Sequence, residues 1–78
     1  MNILIEDADK LEYLTSTNQW SKNAADGKNF GATADAYAVA KKEPIQSFNI
    51  VSYITSTRQF VNLDHGKGKG IPEVPVTT

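Results

Sequence analysis

One eight-residue pattern occurs twice in this chain and constrains the fold more than any other feature. Tyr13-Leu14-Thr15-Ser16-Thr17-Asn18-Gln19-Trp20 is echoed forty positions later by Tyr53-Ile54-Thr55-Ser56-Thr57-Arg58-Gln59-Phe60. Five of the eight positions are identical, and two more exchange one apolar residue for another. Each copy reads as the end of a strand, a Thr-Ser-Thr turn, a polar pair and an aromatic. Hydroxyl side chains bond nearby backbone amides and so close turns. The aromatic that follows is placed to pack back on a sheet. The simplest meaning is one local hairpin solution used twice. Two copies are too few for a repeat architecture, which needs about three or more units to bury a continuous core.

The rest of the chain arranges itself around these two turns. Ile3, Leu4 and Ile5 read as a strand, Asp7-Ala8-Asp9-Lys10 as a turn, and Leu11 to Thr15 as a returning strand that completes a hairpin. Asn23 to Gly27 reads as one helical turn stopped by Gly27. The main helix is expected over Thr33–Glu43. Thr33 is its N-cap, Asp35 lies in the first turn, and Lys41 and Lys42 in the last, as the helix dipole prefers. Pro44 stops it, because the residue before a proline avoids the helical region. Ala36, Val39 and Ala40 share a face that lets the helix approach a sheet closely. Phe48 to Ile54 reads as a strand apolar on both faces, hence central or doubly covered, with a second copy of the chain as one candidate cover. Gln59 to Leu63 is its return. The expected fold is therefore α+β, a single small domain over residues 1–65. Two β-hairpins, forming a mainly antiparallel sheet, pack on one main helix in the order ββ(α)αββ. The expected core is Ile3, Ile5, Leu11, Tyr13, Trp20, Phe30, Ala36, Ala40, Phe48, Ile50 and Phe60. Residues 66–78, with alternating glycine and lysine and then two prolines, read as a flexible tail.

Tyr13-Leu14, Trp20, Ala25, Phe30 and Ala36 together form a loose YL…W…A…F…A pattern. It resembles one found in short uncharacterised bacterial proteins in which a β-hairpin precedes a helix and further strands. The resemblance covers roughly residues 3–54. It implies an α+β layout and a bacterial, cytoplasmic origin, and it implies no activity.

Composition bounds the chemistry. At 78 residues and 8.5 kDa, the chain has room for one limited core, because a domain of this size buries only about 60% of its unfolded surface. There is no cysteine, which excludes disulfides, thiolate catalysis and iron–sulfur ligation and makes a reducing cytoplasm the simpler compartment. Met1 to Glu6 shows no basic segment ahead of an apolar one, so no signal peptide is expected. No apolar run approaches the roughly 20 residues that span a bilayer, and no membrane association is expected. The net charge of −1 supplies no general pull toward nucleic acid.

No catalytic, metal or cofactor site is expected. His65 is the only histidine, and its neighbour Asp64 would point to the opposite face of a strand, where it cannot orient the ring. The acids Glu6, Asp7, Asp9 and Glu12 do not have the spacing of a calcium loop and read as solvation of a hairpin turn. Gly66-Lys67-Gly68-Lys69-Gly70 lacks the following helix that phosphate loops require. The candidate binding residues are Trp20, Arg58, Phe60, His65, Lys67 and Lys69. The absence of a catalytic constellation and the two-sided apolar character of residues 48–54 point to a small non-enzymatic interaction module that binds a protein partner or a second copy of itself. Arg58, Lys67 and Lys69 suit the alternative, a salt-dependent nucleic-acid or phosphate binder using the basic C-terminal arm. Two lysines are few for that role, since specific binders neutralise about 6–10 phosphates.

Overall fold

Alternation along Asn2–Asp7 (β1) sends Ile3 and Ile5 to one side and Leu4 to the other, and all three are buried. A strand apolar on both faces belongs in the middle of a sheet, and β1 is the middle strand. In the computed structural model, which describes residues 2–70, the chain continues through β2 (Glu12–Leu14), β3 (Trp20–Ser21), a 3-10 turn η1 (Ala24–Asp26), α1 (Thr33–Ala40), β4 (Ser47–Ile54) and β5 (Gln59–Lys67). The strands form a single antiparallel sheet in the order β3-β2-β1-β4-β5. The α+β class thus holds, but the two hairpins are not separate units packed on a helix. They join edge to edge through β1 and β4, with Leu4 opposite Val51 and Ile5 opposite Ile50. Among the described residues, no helix is long and apolar enough to cross a membrane.

The helix covers one face of this sheet. Ala36 and Ala40, four residues apart and fully buried, lie against Ile3, Ile5, Leu14, Ile45, Phe48 and Ile50. Small side chains at that spacing bring the helix close to the strands. Tyr37 meets the Phe48 ring edge-on, centroids 5.2 Å apart. The helix is three residues shorter than expected. Lys42 and Glu43 donate to the carbonyls of Val39 and Ala40, a tighter three-residue spacing that ends the helix ahead of Pro44. Lys41 is consequently the C-cap, and no basic residue lies in the last turn. Thr33 is the first helical residue rather than the cap. Ala32 occupies the cap position and makes no side-chain bond there.

The other face has a different cover. Tyr13 on β2 and Phe60 on β5 are separated in the sheet by β1 and β4, a span of about 14 Å at the usual strand spacing. Their ring centroids are nevertheless 5.8 Å apart, and Phe60 also stacks on Tyr53 at 4.7 Å. The rings therefore lean toward one another across the sheet. Tyr13, Tyr53 and Ala24 of η1 cover Leu4 and Val51, which are nearly inaccessible, and Phe60 stacks on the two tyrosines. Gly27 lets η1 sit this close, since a Cβ there would stand 3.1 Å from Leu4 Cδ2. The two-sided burial expected of residues 48–54 is thus satisfied within one chain.

The core departs from expectation in several places. Leu11 is 62% exposed at the tip of the β1–β2 turn, held with φ 55. Phe60 is 46% exposed because the strand that carries it is an edge. Trp20 and Phe30 are partly buried against the helix-side cluster. Leu4, Leu14, Ala24, Ile45 and Val51 belong to the core and were not expected there. Finally, β5 runs past position 65 to Lys67. Gly66 makes this extension feasible, because a Cβ at that position would meet both Phe48 Cζ and the Tyr37 hydroxyl at 2.8 Å. The amides of Gly68, Lys69 and Gly70 then donate to the carbonyls of Gln46, Glu43 and Ile45. The remainder of the segment read as a tail, residues 71–78, lies outside the described residues.

Candidate functional site

The sheet has two edges of very different character. β3 is only two residues long. β5 is nine residues long, pairs with β4 on one side, and has no strand on its other side among the described residues. Every residue of β5 except Gly66 is exposed, including Phe60 at 46%, Val61 at 49% and Leu63 at 41%. Phe60 lies opposite Tyr53 and Val61 opposite Ser52, so the exposed apolar side chains occur on both faces of the strand. An edge strand of this kind carries a row of unpaired amides and carbonyls, the usual template for pairing with another chain.

The two halves of β5 treat this edge differently. Ile50 is opposite Asp64 while Val51 is opposite Asn62, which leaves Leu63 as the extra residue of a bulge. Beyond the bulge come Asp64, His65 and Lys67, and Asp64 Oδ1 accepts the His65 amide at 2.7 Å. Charges and bulges are the devices that blunt an edge. Gln59 to Leu63, ahead of them, contains no charge at all.

The expected binding residues do not gather in one place. Arg58 closes the β4–β5 turn with φ 54, next to Phe60 at one end of β5. Lys67 ends the same strand, and Lys69 follows it, its amide on Glu43. A nine-residue strand spans about 27 Å from end to end, so Arg58 and the two lysines do not form one basic patch. His65 is exposed opposite Asn49. Trp20 is on the far edge of the sheet, in β3, and packs toward the helix side. The residues that sequence reasoning missed are Val61 and Leu63. Their apolar character was visible, but it reads as core until the strand order makes β5 an edge.

Two further polar clusters turn out to be structural. Glu6 accepts the Tyr13 hydroxyl on Oε2 at 2.9 Å and the Asn49 amide on Oε1 at 3.1 Å. Burial, followed by the Glu6 carboxylate, pushes the Tyr13 hydroxyl up to about 12. Asp7, read as a solvated turn acid, is instead buried. Its Oδ1 accepts the amides of Asp9 and Lys10 and so builds the β1–β2 turn. A shallow cleft of ≈ 270 Å³ beside it is lined by Asp7, Asp9, Lys10, Pro44, Ile45 and Gln46. Among the described residues, no three His, Cys, Asp or Glu side chains come together as a metal would need. Comparison with family models, with curated proteins and with solved structures gave no match.

Proposed function

We propose that the chain is a small non-enzymatic protein-interaction module whose contact element is the outer edge of β5. One observation carries this reading: Phe60, Val61 and Leu63 are exposed on an edge strand that nothing covers among the described residues. Monomeric proteins normally blunt such an edge along its length, whereas here the bulge and charges protect only the second half. The chemistry of the neighbouring groups favours binding over catalysis. Asp64 bonds the His65 backbone rather than the ring, and the Asp7 carboxylate, the buried acid beside the cleft, already holds two amides of its own turn.

A photo-reactive amino acid at position 61 tests the reading in cells. The same residue at position 34, on the exposed side of the helix, is the control. A discrete adduct formed from position 61 and absent from position 34 is expected. Diffuse or equal labelling from both positions would overturn the proposal.

A further inference from the structure

We infer that the partner of this edge is a second copy of the chain, and that two β5 strands pair antiparallel with Val61 on the two-fold axis. The inference rests on the reading of β5 as an interaction edge and adds the occupant and its register. The argument comes from charge. The uncharged segment Gln59-Phe60-Val61-Asn62-Leu63 is bracketed by Arg58 at its start and Asp64 at its end. Antiparallel pairing centred on Val61 brings the Arg58 turn of each chain beside the Asp64 end of the other, just past the bulge at Leu63, so unlike charges are neighbours at both ends of the contact. Parallel in-register pairing would instead stack Arg58 on Arg58 and Asp64 on Asp64. The segment is thus complementary to itself in one direction only, and that direction closes into a two-fold dimer rather than an open filament.

The other features of β5 fit the same register. Phe60 of one chain comes opposite Asn62 of the other, and Gln59 opposite Leu63. The two Val61 side chains, exposed on the helix side of the sheet, meet across the axis as a β-branched pair. Pairing cannot continue past Leu63, because the bulge breaks the strand there and Asp64, His65 and Lys67 follow. The paired segment is thus confined to Gln59, Phe60, Val61, Asn62 and Leu63 of each chain, with Arg58 and Asp64 flanking it. An interface of that size falls in the weak, transient class, so the dimer should assemble at high micromolar to millimolar concentration.

Sedimentation equilibrium of the full chain across that range is the test, with circular dichroism confirming that each variant is folded. Arg58→Glu alone and Asp64→Arg alone each place like charges beside one another at both ends, and each should weaken dimerisation about tenfold. The double variant Arg58→Glu/Asp64→Arg should recover it. Val61→Lys, which sets two ammonium groups on the axis, should abolish it. A dimer indifferent to these changes would overturn the register. A chain that stays monomeric at millimolar concentration would overturn self-pairing. If position 61 still gave a discrete adduct with a different protein, the interaction-edge reading would survive that result. If no discrete adduct formed, both would fall.

Discussion

The two copies of the echoed octapeptide both become hairpins, yet they point their aromatic residues to opposite faces of the sheet. In the first, the Thr15 amide donates to the Gln19 carbonyl, Leu14 stands opposite Trp20, and the loop is the three residues Ser16 to Asn18. In the second, Ile54 stands opposite Gln59 and Tyr53 opposite Phe60, and the loop is the four residues Thr55 to Arg58. The last loop residue is left-handed in both, with φ 60 at Asn18 and φ 54 at Arg58. The turn chemistry is therefore shared while the register differs by one. A slip of one residue moves every later side chain to the other face. Trp20 accordingly joins the helix-side core, and Phe60 joins the ring cover on the opposite side. Local sequence decides that a hairpin forms, and what lies across the sheet decides which way it faces.

The sharpest way to break this equivalence is to truncate the same echo position in each copy. Leu14 is 2% exposed in the helix-side cluster, whereas its counterpart Ile54 is half-buried near the hairpin end. Leu14→Ala should cost about 2–5 kcal/mol, and Ile54→Ala clearly less, as read by urea unfolding. Equal losses would mean that the two hairpins are equivalent after all.

Tyr13, the first residue of the first copy, gives the next largest effect. Its hydroxyl is raised from 10.0 to about 12 in the folded chain, by burial and by its bond to Glu6. The unfolded chain therefore releases this proton first as pH rises. The stabilisation is fully present below about pH 10 and is lost between 10 and 12. A shift of this size corresponds to something on the order of 2 kcal/mol. Tyr13→Phe should flatten the loss of stability across that alkaline window. An unchanged pH profile in the variant would show that another group controls it.

How much of this could be read in advance depends on the scale of the question. Turn residues announce themselves, so the β1–β2 turn at Asp7, the short helical turn capped by Asn23 and the β4–β5 turn were all legible. Asn23 accepts the Ala25 amide as a cap should. Strand order was not legible, because it depends on pairings across more than forty residues, such as Asp7 with Phe48. That one unknown explains most of the differences. Phe60 and Val61 look like core in a list of apolar residues and become an exposed edge only when β5 is outermost. Leu11 fits the alternation of β2, but Asp7 closes a turn around it and turns it out. Position 66 looked like the start of a tail because glycine weakens strands, yet glycine is what Phe48 and Tyr37 require there. The candidate site was legible only at its rim, in Arg58 and Phe60, since its centre is defined by what fails to cover it.

A smaller effect belongs to the turn of the first hairpin. Thr15 Oγ1 accepts the Gln19 amide at 3.2 Å and lies 3.0 Å from the Thr17 hydroxyl. Thr15→Ala should therefore cost about 1 kcal/mol, measured as above.

The smallest effect is the most informative, because it sets the stability of one chain against the pairing of two. Asn18 and Arg58 hold the same left-handed loop position. Asparagine tolerates that conformation, whereas a long unbranched side chain does not favour it. Arg58→Asn makes the second loop match the first at this position, and should raise the stability of the dilute chain by about 0.5 kcal/mol. The reverse change, Asn18→Arg, should lower it by a similar amount. If Arg58 were only a loop residue, Arg58→Asn would be an improvement with no cost. If it lies beside Asp64 of a second chain, the same substitution removes both unlike-charge contacts, and sedimentation at high concentration should show weaker association alongside the higher unfolding midpoint. A gain in stability with association unchanged would separate the strain at this position from any role in pairing, and would leave the arginine unexplained.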